Sequence, residues 1–197
     1  MAASRKYSTA RVFRTAIEER LKGIAQADRI ENNRLRRQVA FDRLLARLFR
    51  NQTVPWVLKG GYALELRFKN ARATVDIDLT LQRVPVADAQ STDVNSVVQT
   101  ILQNAANIPL GDWFKYVIGP PMMDLTGPPY GGARYPVDAS MDERIFTKFH
   151  LDAGIGDAVM QPRETIVGRD WLGFAGVEPS PVRMIAREQQ FAEKIHA

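Results

Sequence analysis

Two carboxylates separated by a single residue, Asp76 and Asp78, are the strongest chemical signal in this 197-residue sequence. Residues 74–81 carry β-branched side chains and alternate in polarity, which predicts a strand. Alternate residues of a strand share a face, so the two carboxylates repel each other if they are buried without a counter-charge. A hard cation with oxygen ligands, such as Mg²⁺, relieves that repulsion. Because two such ions can hold the attacking and leaving oxygens of a phosphoryl transfer, the spacing predicts a site for one or two Mg²⁺ ions.

A pair of glycines precedes the predicted strand. Gly60 and Gly61 stand between an apolar run at residues 54–58, which predicts another strand, and a short predicted helix at residues 62–68. Backbone N–H groups at a glycine turn can approach a phosphate closely, and the start of a helix adds a favourable dipole. We therefore expect a phosphate to bind at this turn.

Three further polar residues lie near the two motifs, namely Lys59, Arg72 and Thr74. By strand parity Thr74 shares the face of the two carboxylates, which makes it the strongest of the three as a nucleotide contact. Lys59 is a second candidate for such a contact. Arg72 either contacts the nucleotide or pairs with one of the carboxylates.

The order of these elements is strand, glycine pair, short helix, and then a strand with two aspartates. That order resembles the entry motif of the nucleotidyltransferase fold shared by DNA polymerase beta-like enzymes. The resemblance implies a third carboxylate on a neighbouring strand. Asp152, which is flanked by apolar residues, is the favoured candidate, and Asp138 and Asp157 are its rivals.

A narrower resemblance covers residues 58–197. Three stretches are similar to motifs of the AbiEii/AbiGii family of nucleotidyltransferase-like toxins, which act in toxin–antitoxin and abortive-infection systems. These stretches are Lys59-Gly60-Gly61-Tyr62-Ala63-Leu64 with Arg72-Ala73-Thr74-Val75-Asp76-Ile77-Asp78, then Leu151-Asp152 with Gly156-Asp157, and finally Phe191-Ala192-Glu193-Lys194-Ile195-His196-Ala197. Tyr62 departs from the family, which commonly has Thr or Ser there. The family also continues into further helices with another acidic motif beyond the last stretch.

The resemblance implies transfer of a nucleotide from a nucleoside triphosphate to RNA, with tRNA as the acceptor class. Asp76 and Asp78 would hold Mg²⁺ and the triphosphate, and Asp152 would complete the metal site and help to deprotonate the acceptor hydroxyl. Lys194 would neutralise triphosphate charge. The backbone of Gly60, Gly61 and Tyr62 would bind phosphate. A cognate antitoxin that acts without direct binding is the implied partner. The alternatives are a non-catalytic nucleotide- or nucleic-acid-binding module of the same fold, and nucleotidylation of protein.

The positive charge of the chain is concentrated at its N-terminus. Residues 1–50 hold 13 Lys/Arg and 5 Asp/Glu, whereas residues 51–197 hold 14 and 17. Apolar residues recur at helical spacing through residues 11–50, with a break near Gly23 or Asp28. Lys and Arg clusters contact phosphate backbones without reading sequence. The helical spacing groups four arginines into an expected RNA-facing stripe, the alternative being a solvated helix face: Arg36, Arg43, Arg47 and Arg50.

Composition excludes several classes of protein. The chain has no cysteine, which excludes disulfide frameworks, thiol nucleophiles and zinc–thiolate sites. No apolar run approaches the ~20 residues of a membrane span. The first ten residues lack the apolar core of a signal peptide. We therefore expect a cytoplasmic protein.

The remaining patterns predict an α/β (α+β) nucleotidyltransferase fold, a small mixed sheet flanked by helices. Residues 1–50 would form basic helices packed on a core of residues 51–197. Within that core we expect a helix that ends near Asn107 and begins at Asp88 or Ser91, a strand at residues 113–118, a hairpin of residues 134–141 and 144–153, and a last helix from Val182. That last helix reaches Ala197 without a capping glycine or proline, which indicates a chain cut before a C-terminal helical region.

Overall fold

The computed structural model describes residues 6–51, 53–68, 72–82, 84 and 93–196. Two helices come first, and the described elements then mix strands and helices. The helices are α1 (Ala10–Asp28), α2 (Asn32–Leu48), α3 (Gly60–Arg67), α4 (Val94–Ala106) and α5 (Arg187–His196). The strands are β1 (Trp56–Lys59), β2 (Asp76–Leu81), β3 (Lys115–Ile118), β4 (Met123–Asp124), β5 (Gly132–Met141), β6 (Arg144–Ile155), β7 (Glu164–Val167) and β8 (Pro181–Met184).

The strands form one mixed sheet in the order β3-β5-β6-β2-β1-β8-β7, and β4 adds to the edge of β5. The β2–β6 and β1–β8 pairs are parallel, and the other pairs are antiparallel. The expected hairpin is confirmed as β5 and β6. Its turn residues, Asp142 and Glu143, both have a φ of 55°, the backbone of the two-residue turns that match strand twist.

One face of the sheet is covered by helices. The ring of Phe41 in α2 meets Phe149 of β6 with their centroids 4.7 Å apart, and the Tyr135 hydroxyl of β5 donates to the carbonyl of Asn95 in α4. Leu151 and Ala153, which follow Phe149 at alternate positions, are fully buried. Because side chains alternate across a strand, His150 and Asp152 project from the opposite face.

The N-terminal helices pack into the same core as the sheet. Phe13, Ile17 and Leu35 belong to one buried cluster with sheet residues such as Leu58 and Leu79.

The long helical region is broken at Arg29, whose left-handed backbone ends α1, so the break lies near Asp28 rather than at Gly23. The division of the chain at residue 50 remains a prediction.

The prediction that the last helix begins at Val182 is wrong. Residues Pro181–Met184 form β8, which pairs with β1 and β7. Val182 and Met184 are buried while Pro181 is exposed and Arg183 is intermediate, so burial follows the two-residue period of a strand. The helix begins at Arg187.

The N-cap of α4 is Asp93, which was not among the residues predicted from the sequence. The side chain of Asp93 accepts the backbone N–H of Asn95, as an N-cap aspartate does. The expected caps, Asp88 and Ser91, lie outside the described residues. Within the described ranges, no helix is both long and apolar enough to cross a bilayer.

Candidate active site

Four charged residues form a row across four neighbouring strands, on the sheet face opposite α2. Lys59 of β1 pairs with Asp78 of β2, Asp78 with Asp152 of β6, and Asp152 with Arg134 of β5. Directly paired residues project from the same face of a sheet. The row therefore places two carboxylates between two cations.

A second carboxylate position lies one step along the strands. Asp76 pairs in register with His150, and the His150 Nδ1 atom lies 3.3 Å from Asp76 Oδ1. Asp76 and Asp78 share a face of β2, as the sequence predicts. The structure thus brings Asp76, Asp78 and Asp152 to adjacent positions on two parallel strands.

Arg134 binds two of these carboxylates. Its Nε and one terminal nitrogen donate to the two oxygens of Asp152, each at 2.7 Å, and the same terminal nitrogen lies 3.2 Å from Asp76 Oδ2. Forked pairing of guanidinium with carboxylate is among the strongest hydrogen-bonded arrangements in proteins. The bond to Asp152 raises the pKa of Arg134 further above its usual range.

Asp78 is mostly buried, and among the described residues no arginine forms a forked pair with it like that between Arg134 and Asp152. Burial, together with the nearby charges of Asp152 and Asp76, raises the pKa of this carboxyl to about 6, against the opposing effects of the Gly61 N–H and Lys59. The Gly61 N–H donates to Asp78 Oδ2 at 3.3 Å. The site therefore contains a carboxylate whose ionised form is unfavourable.

The glycine pair fits tightly around Asp78. Gly60 has a φ of +67°, which residues with a side chain rarely adopt, and a Cβ added there would collide with the Asp78 carboxylate. A Cβ on Gly61 would lie 2.8 Å from Thr74 Oγ1. Position 60 therefore requires glycine, and a side chain at position 61 would have to displace Thr74.

The peptide group between the two glycines is held at both ends. Its N–H, from Gly61, donates to Asp78, and its carbonyl, from Gly60, accepts a 2.7 Å bond from the side-chain amide of Gln190 in α5. Gln190 is itself buried. Helix α5 is thereby fixed against the glycine turn at the start of α3.

A cleft of about 730 Å³ opens beside this turn. Gly61, Thr74, Arg72 and Lys194 line it, together with apolar side chains that include Phe68 and Phe191. The centroids of these two rings lie 5.9 Å apart. Four residues that the sequence assigns to nucleotide binding or catalysis therefore meet around one cavity, although Thr74 precedes β2 instead of lying within it.

Tyr62 does not belong to this cavity. Its side chain is 2 % exposed, its ring packs edge-on against Phe41 with centroids 4.9 Å apart, and its hydroxyl donates to the carbonyl of Gln38. The first turn of α3 directs the Tyr62 side chain into the core beneath α2, so the predicted phosphate contact of this residue concerns its backbone alone.

The rivals of Asp152 are not members of the row. Asp138 pairs with Lys148, and both are substantially exposed to solvent. Asp157 forms an ion pair with Lys59, so Lys59 binds a carboxylate at the end of the row. Asp152 lies beside Asp78 in the sheet. Its role as the third catalytic carboxylate remains a prediction.

The expected RNA-facing stripe of arginines is wrong for two of its members. Arg43 and Arg47 are each 2 % exposed. Both donate to the carboxylate of Asp112, which is itself buried. These arginines are internal ion-pair partners of the loop before β3, and their burial removes them from any surface that contacts RNA.

The other two arginines differ in exposure. Arg36 is partly buried, donates to the carbonyl of Phe146, and lies over the ring of the same residue. Arg50 is exposed at the end of α2.

The sequence did not predict two residues of the site, Arg134 and Gln190. Arg134 stands at the start of a correctly predicted strand, and its pairing with Asp152 depends on the register of the hairpin. Gln190 lies on a helix whose start was misplaced.

In the described part of the chain, no three His, Asp or Glu side chains are arranged to hold a metal ion. Arg134 is bonded to Asp76 and Asp152, two of the three expected ligands.

The chain is similar to two solved structures of other proteins. A comparison with curated protein sequences finds no match. Among solved structures, MenT4, a nucleotidyltransferase toxin from Mycobacterium tuberculosis H37Rv, is 18% identical and matches 92% of this chain and 57% of its own, with a TM-score of 0.62. JHP933 from Helicobacter pylori is 16% identical, matches 84% of this chain and 57% of its own, and has a TM-score of 0.48.

The chain therefore spans less than two thirds of either of these structures. The likeness to MenT4 shows that the two chains share the mixed sheet with flanking helices. A family profile described as "Nucleotidyl transferase AbiEii toxin, Type IV TA system" matches residues 43–197, a range that includes the glycine turn, the three carboxylates and Lys194. The chain belongs to the AbiEii family of nucleotidyl transferase toxins of type IV toxin–antitoxin systems.

Proposed function

We propose that this protein transfers a nucleotide from a nucleoside triphosphate to RNA, with tRNA as the acceptor. The observation that carries the proposal is the position of three carboxylates, Asp76, Asp78 and Asp152, on two adjacent parallel strands beside the glycine turn and its cleft. Family membership and the likeness to the MenT4 fold support nucleotidyl transfer.

The cleft beside the turn suits a nucleotide. Arg72 and Lys194 supply positive charge for phosphates, and Phe68 and Phe191 supply apolar surface for the base. Aromatic side chains stack with any base because every base has a π-face. We assign the triphosphate to the side of Gly61 and Lys194, and the base to the side of the two rings.

Mg²⁺ is the proposed metal. Carboxylate oxygens are its preferred ligands, so the chemistry of Asp76, Asp78 and Asp152 fits it, although their present contacts do not form a cage. A bound Mg²⁺ would supply charge stabilisation to the phosphoryl oxygens. Among the chain's own groups, Asp152 is the proposed acceptor of the proton from the attacking RNA hydroxyl.

The proposed toxin acts within a gene pair. By analogy with its family, its cognate antitoxin would neutralise it without direct binding. Co-expression that restores growth, together with the absence of a complex in a tagged pull-down, would support this view. A stable complex between the two proteins would contradict it.

The transfer itself can be tested with labelled nucleoside triphosphates, Mg²⁺ and total tRNA. We expect label on RNA with the wild-type protein and at most a trace with Asp152→Asn. Asp138→Asn is the matched control, since it neutralises an exposed carboxylate on the neighbouring strand. Label on protein would indicate protein nucleotidylation instead, and loss of labelling in the control would refute the assigned site.

A non-catalytic binding module is the second candidate. It is favoured by the contacts of Arg134, which already satisfy Asp152 and part of Asp76. In that case nucleotide would bind in the cleft and no label would be transferred to any acceptor. Equal behaviour of wild type and Asp76→Ala in cells would support the binding module over the transferase.

A further inference from the structure

We propose that Arg134 is an internal counter-ion that competes with a divalent cation for Asp76 and Asp152. This inference rests on the proposed function in one respect, the binding of a divalent cation by these carboxylates. It adds a regulatory contact within the site, because a cation can bind there only after the guanidinium has moved away.

The first argument concerns the carboxylate oxygens. Both oxygens of Asp152 accept from Arg134, while Asp76 has one oxygen near Arg134 and the other near His150. Each of the four oxygens therefore has a nitrogen partner. A divalent cation that binds these atoms meets a positive group at the same place, and like charges at such short range exclude each other.

The second argument concerns the other cation of the row. Lys59 stands at the far end of the row and pairs with Asp157, so its ammonium group is engaged with a carboxylate outside the row. Of these two cations, Arg134 is therefore the one that is bonded directly to the expected metal ligands. Its planar fork fits a carboxylate far better than the point charge of lysine.

The third argument is that Arg134 has room to leave. About a quarter of its side chain is exposed, at 28 %, compared with 3 % for Arg43 and for Arg47 in the ion pairs with Asp112. The backbone of Arg134 is held by strand pairing, so the side chain alone must turn toward solvent. A long, partly exposed side chain on a fixed strand meets the requirement for a displaceable counter-ion.

The test measures Mn²⁺ affinity by electron paramagnetic resonance in the absence of nucleotide and RNA. The proteins are wild type, Arg134→Gln, Arg134→Lys and a matched control, Arg144→Gln, which removes an exposed arginine paired with Asp142. A neighbouring charge alters carboxylate protonation by about tenfold or more, and we expect a gain in Mn²⁺ affinity of similar size for Arg134→Gln. Arg134→Lys should lie between it and the wild type, and the control should match the wild type.

Thermal unfolding provides a second measurement. Without metal, Arg134→Gln should melt below the wild type because Asp76 and Asp152 then lose their arginine. Saturating Mn²⁺ should raise the melting temperature of the variant by more than it raises that of the wild type. If Arg134→Gln does not fold, the comparison of Arg134→Lys with the wild type decides the question. Unchanged or weaker Mn²⁺ binding in the folded variant would overturn the inference.

The two proposals fail separately. Tighter Mn²⁺ binding by Arg134→Gln, abolished by adding Asp152→Asn, would support the counter-ion even if no RNA were labelled, and the proposed transfer alone would then be rejected. RNA labelling by a wild type whose Mn²⁺ affinity does not respond to Arg134→Gln would reject the counter-ion and leave the transfer intact.

Discussion

Asp78→Asn should stabilise the fold while it abolishes nucleotidyl transfer. Burial and two neighbouring carboxylates raise the pKa of Asp78 to about 6 from an ordinary value of 3.8. A carboxyl whose pKa is higher in the folded state than in the unfolded state binds its proton more tightly when folded. The ionised form therefore weakens the fold, and the penalty develops as pH rises from about 4 to above 6.

The magnitude follows from the same shift. One pKa unit corresponds to about 1.4 kcal/mol, so a shift of about two units sets an upper limit of about 3 kcal/mol on the penalty at neutral pH. The amide oxygen of asparagine can still accept the Gly61 N–H, so the turn keeps its bond. We expect Asp78→Asn to gain about 1–3 kcal/mol in free energy of unfolding at pH 8.

Urea unfolding at several pH values, with a chelator present, measures this gain. The advantage of the variant should shrink toward zero as the pH falls below about 3, where the wild-type carboxyl is protonated in both states. Asp138→Asn is the control, because an exposed pair contributes less than about 1 kcal/mol. Equal stability of wild type and Asp78→Asn at pH 8, or an advantage that does not vary with pH, would refute the reasoning.

Three further changes have definite expected outcomes. Asp112→Asn leaves Arg43 and Arg47 buried without their counter-charge and should cost about 3–5 kcal/mol in urea unfolding; a loss below about 1 kcal/mol would contradict the buried network. Gly60→Ala forces a side chain into a left-handed backbone, at a cost of about 1–2 kcal/mol. Because the added Cβ would displace the Asp78 carboxylate, RNA labelling should fall about 100-fold, while the circular dichroism spectrum should be unchanged. Lys194→Gln should weaken nucleotide binding about tenfold in a fluorescence titration, and Lys194→Arg should restore part of it; equal affinities would remove Lys194 from the cleft's function.

Local sequence patterns predicted the central part of the fold well. The alternation in β5 and β6 and the turn at Asp142 and Glu143 are properties of neighbouring residues, and so is the glycine pair before α3. The short strands β7 and β8 are different, because their pairing partners are distant in sequence. Val182 and Met184 are two residues apart and precede more apolar residues, a spacing that fits either a strand or the first turn of a helix.

The site was predicted in its carboxylates but not in its counter-charges. Asp76 and Asp78 share a strand, so parity alone places them together. Arg134 reaches Asp152 only because β5 and β6 pair in one particular register. Likewise Arg43 and Arg47 lie at the positions that helical periodicity predicts, but their partner Asp112 lies more than 60 residues away, and no local pattern reveals that they are buried.

The peptide group between Gly60 and Gly61 links the proposed nucleotide cleft to α5. A peptide group is planar and rigid, so its carbonyl and its N–H turn together. A phosphate that attracts the Gly61 N–H away from Asp78 must rotate that plane, and the rotation carries the carbonyl away from Gln190. Arrival of a triphosphate would thus loosen α5 and release the Asp78 carboxylate in a single movement, so that Lys194 and β2 respond to the same event.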